Sequence, residues 1–254
     1  MIVNTACSKD NTILKVGYDL QAPHRFSDKD GKAIGFDIER VKAIFNETSM
    51  KLEFYEYPWN RILRLIESGK LDVALAAGKL PGRSKYAYFT DEIFKTGKIN
   101  LYIVDQNKID KQNFKELADL TKTELTVAVR RGASYSDEYE LLKSNQNFQN
   151  KLVGIRTIEQ ALRLANLGRV EGIITNQEIL DWEVQKSCSD ISFYSAYDLS
   201  KKENSDSYIM LSRKTVSLQQ VEEINKAMKK IDAANLVFNN QFTNLNLNCS
   251  NKNE

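Results

Sequence analysis

The chain has 254 residues, 42% of them hydrophobic and 28% charged, ordinary for a globular protein long enough to bury one large or two medium cores. Its 36 basic and 34 acidic residues leave a formal net charge of +2, too even for a dedicated nucleic-acid binder, which concentrates basic residues in a patch or stripe. No apolar stretch approaches the roughly 20 residues that span a bilayer.

Met1–Asp10 lacks the charged start and apolar core of a signal peptide, so the chain reads either as cytoplasmic or as one from which a leader has been removed. Asn4, three residues ahead of Cys7, stands where a lipid-modified cysteine has a large aliphatic residue, which argues against lipidation. Cys7, Cys188 and Cys249 lie far apart, with no CxxC and no histidine beside them, and this speaks against a thiolate metal site. A Cys188–Cys249 disulfide and unpaired thiols are both open.

From the N-terminus onward, apolar alternation predicts strands at Leu14–Tyr18, Lys51–Tyr57, Asp72–Ala76, Ile99–Val104, Leu125–Arg130, Val170–Thr175 and Tyr208–Ser212. Between the first two, Phe36–Thr48 carries Ile38, Val41 and Phe45 on one helical face. Pro58–Ser68 begins with a proline in its first turn, presents Trp59, Ile62 and Ile66, and stops at Gly69. Thr157–Leu167 opens with Thr-x-x-Gln and Ser217–Asn235 with Ser-x-x-Gln, both capping boxes. Strands alternating with helices predict an α/β protein with largely parallel sheets.

Ser68–Gly78 (SGKLDVALAAG) and Leu167–Gln177 (LGRVEGIITNQ) share one order: helix end, Gly, basic, apolar, acid, buried strand. Such junctions recur in α/β proteins because left-handed caps favour glycine, and they also fit two similar lobes. Asp105–Phe114 and Asp198–Ser207 are polar and aperiodic and read as crossovers. Two crossovers place a second lobe, 106–198, inside a first made of 1–105 and 199–254. A ligand cleft then lies between lobes that close like a hinge.

The pieces LKVGYD (Leu14–Asp19), GKAIGFDIERVKAIF (Gly31–Phe45), ESGKLDVALAA (Glu67–Ala77) and RSKYAYFTDEIF (Arg83–Phe94) resemble the solute-binding proteins of polar amino-acid ABC importers. LTVAVRRGASY (Leu125–Tyr135), EQALRLANLGRVEGIITN (Glu159–Asn176) and INKAMKKI (Ile224–Ile231) extend the resemblance over nearly the whole chain after Thr12. It implies a two-lobed α/β type II periplasmic-binding fold and a periplasmic or otherwise extracytoplasmic location. It also implies an ABC transporter permease as partner, a monomer, and no cofactor or metal.

In that family the arginine matching Arg83 makes a two-pronged salt bridge to the ligand's α-carboxylate, a task suited to a planar guanidinium. Gly132-Ala133-Ser134, ahead of a helix, offers backbone N–H groups for an anion, so Ala133 and Ser134 would hold the other carboxylate oxygen; plain helix capping by Ser134 is the alternative. Asp19, at the exit of the first strand, matches a position near the ligand's amine and reads equally as a turn former. The family's aspartate that clamps the α-ammonium is matched by Asn176, a neutral amide. The ligand then lacks a standard α-amino group, or meets it at Asp19 alone.

Ala76, Ala77 and Gly78 stand where hydroxyl residues are frequent in the family, and their small size lets a ligand approach the backbone. Trp59 reads as cleft wall or as core in register with Ile62 and Ile66. Tyr135 and Phe26 are further wall candidates, and His24, the one histidine, reads as a ligand contact or an exposed loop residue.

The leading expectation is a non-enzymatic binding protein for a small carboxylated solute, an amino acid or a derivative. The alternative is an enzyme on the same scaffold, a lyase resembling cyclohexadienyl dehydratase, which needs a buried acid of raised pKa; Glu171 and Glu178 are the candidates. No Ser/His/Asp pattern, HExxH or phosphate loop is present. A sensory module reporting the ligand to a separate receptor would have the same cleft.

Overall fold

A computed structural model describes residues 12–105, 114–200 and 205–234. The strands are β1 (Ile13–Tyr18), β2 (Phe26–Ser27), β3 (Ala33–Ile34), β4 (Lys51–Glu56), β5 (Val73–Ala77), β6 (Ala87–Phe89) and β7 (Lys95–Gly97). They continue with β8 (Ile99–Ile103), β9 (Val127–Arg130), β10 (Leu152–Ile155), β11 (Gly172–Asn176), β12 (Tyr194–Asp198) and β13 (Ser205–Ser212).

Two larger sheets result. The first runs β4-β1-β5-β13-β6 with β7 paired to β13, and the second runs β10-β9-β11-β8-β12. In the first, β1 is parallel to β4 and β5, and β13 enters antiparallel. In the second, β9 is parallel to β10 and β11, and β8 enters antiparallel. Each lobe is therefore a βαβ core completed by one strand arriving from the other side.

Helix α1 (Phe36–Asn46) buries Ile38, Val41, Ile44 and Phe45 against the first sheet, at the spacing of one helical stripe. Helix α2 (Trp59–Ser68) buries Trp59, Ile62 and Ile66 on the opposite face and ends at Gly69, whose φ of 76° is the left-handed cap that glycine adopts without strain. The short α3 (Pro81–Ser84) carries Arg83. In the second lobe come α4 (Asp137–Leu142), α5 (Gln146–Gln149), α6 (Ile158–Asn166) and α7 (Gln177–Ser187). The chain of helices closes with α8 (Leu218–Ala233), whose Ser217 and Gln220 form the expected capping box. Among the described residues no helix is long and apolar enough to cross a membrane.

The first passage between sheets lies earlier than the polar stretch at Asp105–Phe114 suggests. β8 sits between β11 and β12 in the second sheet, so the chain crosses at Lys98, between β7 and β8. A buried apolar strand reads the same in either lobe, and two consecutive strands need only one residue between them to change sheets. The return passage falls between Asp198 and Ser205. Cys188 is disulfide-bonded; Cys249, the partner in the pairing left open by the sequence, lies outside the described residues, as does Cys7.

One glycine fixes the entry to the cleft. Gly35 precedes α1 at φ 117°, and a Cβ there would stand 2.5 Å from the His24 carbonyl oxygen. That carbonyl accepts the Asp37 N–H at 2.7 Å, so the His24–Arg25 turn is seated on the start of α1. Gly35→Ala is expected to cost about 2 kcal/mol or more, from backbone strain plus the clash. At roughly 2–4 °C per kcal/mol for a chain of this size, differential scanning fluorimetry should read a fall of about 5 °C.

Candidate functional site

Between the two sheets lies a cavity of about 410 Å³. It opens where β1, β5, β9 and β11 end, the carboxyl ends of the parallel strands, where crevices in such sheets form. The loop after β1 contributes Leu20, Gln21 and Arg25, and the end of β5 contributes Ala76, Gly78, Lys79 and Leu80. β7 and β13 supply Lys95, Gly97 and Asp206–Tyr208. The second lobe supplies Arg130, Ser134–Asp137, Thr157, Ile158, Thr175 and Asn176, among others.

Behind one wall runs a ladder of charges. Asp19 and Asp37 are 4% exposed each, and Arg25 2%. Arg25 Nε and Nη2 donate to Asp19 at 3.0 and 2.9 Å, and its Nη1 donates to Asp37 at 2.5 Å. Arg130 of the second lobe donates to the other Asp19 oxygen, and Lys95 Nζ lies 3.8 Å from Asp37. Burial alone would raise the pKa of Asp19, but the charges and hydrogen bonds of Arg130 and Arg25 outweigh it and hold the group at about 2. Burial pushes Lys95 down to about 8, more than the Asp37 carboxylate restores.

The Asp19 shift fixes a sign. Its carboxylate is more acidic folded than unfolded, so its contribution is complete above about pH 4 and lost as pH falls towards 2. It amounts to about 2 kcal/mol. Urea midpoints should therefore hold steady from pH 7 to about pH 5 and drop below about pH 4, and less so in Asp19→Asn.

Further contacts join the lobes along this seam. Trp59 Nε1 and Arg83 Nη2 both donate to the Gly132 carbonyl at 3.1 Å. His24 Nε2 lies 3.0 Å from Glu178 Oε2, and the Phe26 and Trp182 rings meet at 5.6 Å.

Arg83 is 7% exposed and lies against Gly78, donating to its carbonyl at 3.0 Å, with its guanidinium carbon 5.6 Å from the Trp59 ring centre. Burial lowers its pKa. Among the described residues no carboxylate lies within ion-pair distance of it, and three of its five N–H groups have no protein acceptor.

Gly78, Ser134, Tyr135 and Asn176 thus line the cavity, whereas Arg83 is not among the lining residues and lies against Gly78, which is. Five other expectations fall differently, and Trp59 takes the core reading of the two it offered. Asp19 is turned from the cavity and saturated by two guanidinium groups, so it does not present a carboxylate to an amine. Ala77 has the opposite strand parity to Ala76 and Gly78 and points into the core. Ala133 is buried among Val129 and Tyr135. Trp59 belongs to the core of α2 and the seam, and Phe26 faces Trp182 instead of the cavity. His24 is buried, not exposed, and belongs to the seam.

The helix after Ser134 is capped by Ser136, which accepts the Tyr139 N–H at 3.1 Å. Asn176 caps α7 through Oδ1, which accepts the Glu178 N–H at 2.8 Å, and so its Nδ2 faces Gly97. Glu178 is shifted down in pKa, chiefly by its hydrogen bond with His24, the wrong direction for a general acid. Glu171 accepts from Thr126 at the start of β9 and is not at the cavity.

Lys79, Lys95 and Arg130, which the sequence did not single out, complete the wall together with Arg25. Lys79 Nζ lies 5.7 Å from the ring centre of Tyr208, another lining residue.

The model of the bacterial extracellular solute-binding proteins, family 3, matches residues 14–236. The probable amino-acid ABC transporter-binding protein of Haemophilus influenzae is 26% identical over 196 residues, 76% of this chain and 70% of the relative. The L-cystine-binding protein TcyA of Bacillus subtilis is 24% identical over 230 residues, 89% of this chain and 78% of the relative. A histidine kinase sensor domain with similarity to periplasmic binding proteins superposes with a TM-score of 0.72, covering 89% of this chain and 92% of its own; at 17% identity it speaks for the fold alone. With the type II periplasmic-binding fold and a family match over nearly its whole described length, the chain belongs to the bacterial extracellular solute-binding proteins, family 3.

Proposed function

We propose that the protein captures a small carboxylated solute, an amino acid or a relative of one, outside the cytoplasm and presents it to an ABC importer. The observation that carries this reading is Arg83, a buried guanidinium that meets two neutral carbonyls and an indole and, among the described residues, no carboxylate at ion-pair distance. A buried charge without a counter-ion is costly, and a bidentate carboxylate is the partner its planar fork fits best. The solute carboxylate enters past Gly78, takes the unused N–H groups of Arg83, and meets Ser134 and Tyr135 from the second lobe. The seam contacts then hold the lobes together, and water leaves the cavity. The reading is of a monomer whose closed face docks on a permease, with no bond made or broken in the solute. The named relatives, an amino-acid transporter-binding protein and an L-cystine-binding protein, support the same solute class.

A thermal-shift panel of amino acids, opines and small dicarboxylates tests it, because a ligand that binds only the folded state raises the melting temperature. At least one compound should raise it in a concentration-dependent way. A flat response across the panel removes the proposal.

A further inference from the structure

The charge ladder presents its members unevenly. Arg25, Lys95 and Arg130 line the cavity, whereas Asp19 and Asp37 sit behind them, out of its wall. Within the ladder three positive charges stand against two negative ones, and Lys95, which also faces Glu178, has no carboxylate at hydrogen-bond distance among the described residues. Its cations also keep donors in hand: Arg25 has spent three of its five N–H groups on Asp19 and Asp37, and Lys95 is too far from Asp37 for a hydrogen bond. Asn176 turns its Nδ2 donor towards Gly97, while its oxygen caps α7.

Resting on the solute-binding reading above, we infer that the solute carries a second acidic group, received by Arg130, Arg25 and Lys95. This group would lie between a guanidinium of one lobe and two cations of the other, so closing the lobes and neutralising the anion are one event. Arg83 takes the first carboxylate and the ladder takes the second, which makes the solute a short dicarboxylate. Asp137 and Asp206 also line the cavity, outside the ladder, with Asp206 accepting from Thr96 Oγ1 at 2.8 Å. Asp206 could face an amino group, so an acidic amino acid and a plain dicarboxylic acid both satisfy the charge pattern.

Burial keeps Lys95 near the midpoint of its titration at pH 8. The groups around it are Asp37 from α1, Arg25 from the loop before β2 and Glu178 from α7. An arriving anion favours the charged amine, so binding takes up a proton near pH 8 and weakens as pH rises further.

Isothermal titration calorimetry of the full chain with L-glutamate, glutarate, L-glutamine and L-arginine tests the inference. L-Glutamate or glutarate should bind at least tenfold more tightly than L-glutamine, which has the same shape as L-glutamate without the second charge. Lys95→Gln and Arg130→Gln should shrink that ratio. Lys95 is the safer variant, since its side chain is 24% exposed. L-Glutamine or L-arginine binding as tightly as both acids overturns the second acidic group and leaves solute capture standing. Heat from none of the four, together with a flat thermal-shift panel, overturns both.

Discussion

Asp19→Asn is expected to lower the melting temperature of the unliganded protein by roughly 10 °C. Asp19 is the one carboxylate shared by Arg25 and Arg130 in the described seam, with both its oxygens engaged. Replacing it with an amide leaves buried Arg25 and Asp37 and half-buried Arg130, with two positive charges and one negative. Breaking a buried pair by removing one partner costs about 3–5 kcal/mol, far more than an exposed pair. Arg130→Gln should cost less, because Asp19 keeps Arg25 and the Arg130 side chain is 19% exposed. The double substitution should cost less than the sum, since both act on one contact. Scanning calorimetry at pH 7 reads all three variants, and a fall of under 2 °C in Asp19→Asn would show that the ladder does not hold the seam.

Arg83→Ala is expected to weaken binding of any solute found by the thermal-shift panel by 100-fold or more. Charge-assisted hydrogen bonds contribute about 1.5–3 kcal/mol each, and a bidentate carboxylate makes two. Arg83→Lys retains the charge but not the fork, and should recover only a small part of the affinity. The unliganded protein should tolerate the change. The Gly132 carbonyl keeps Trp59 Nε1, and the Gly78 carbonyl keeps the Leu80 N–H at 3.1 Å, so neither is orphaned. Stability is expected to fall by about 1–2 kcal/mol, within the range of a lost hydrogen bond or two. Unchanged affinity in Arg83→Ala would move the carboxylate site elsewhere in the cavity.

Local signals carried much of the framework. α2 was legible from Pro58, the spacing of Trp59, Ile62 and Ile66, and Gly69; α8 was legible from Ser217 and Gln220. α7 has such a signal too, in Asn176 followed by Glu178 in the first turn, and it is the same signal that gives Asn176 its job as a cap. Strand parity separates Ala76 and Gly78, which face the cavity, from Ala77, which does not.

The ladder had no local signal. Asp19 meets Arg25 six residues on and Arg130 in another lobe, and neither spacing repeats a helix or strand period. Its recognition depended on knowing which sheet each strand joins, and β8 reads identically as a strand of either sheet.

A crystal structure of the protein with a small carboxylate that it binds in solution is the most direct test of solute capture between the lobes. The carboxylate should lie in the cavity between the two sheets, within hydrogen-bond distance of the Arg83 guanidinium, with Ser134 or Tyr135 approaching from the other lobe. A carboxylate bound outside that cavity, or bound inside it with no contact to Arg83, would contradict capture by this guanidinium.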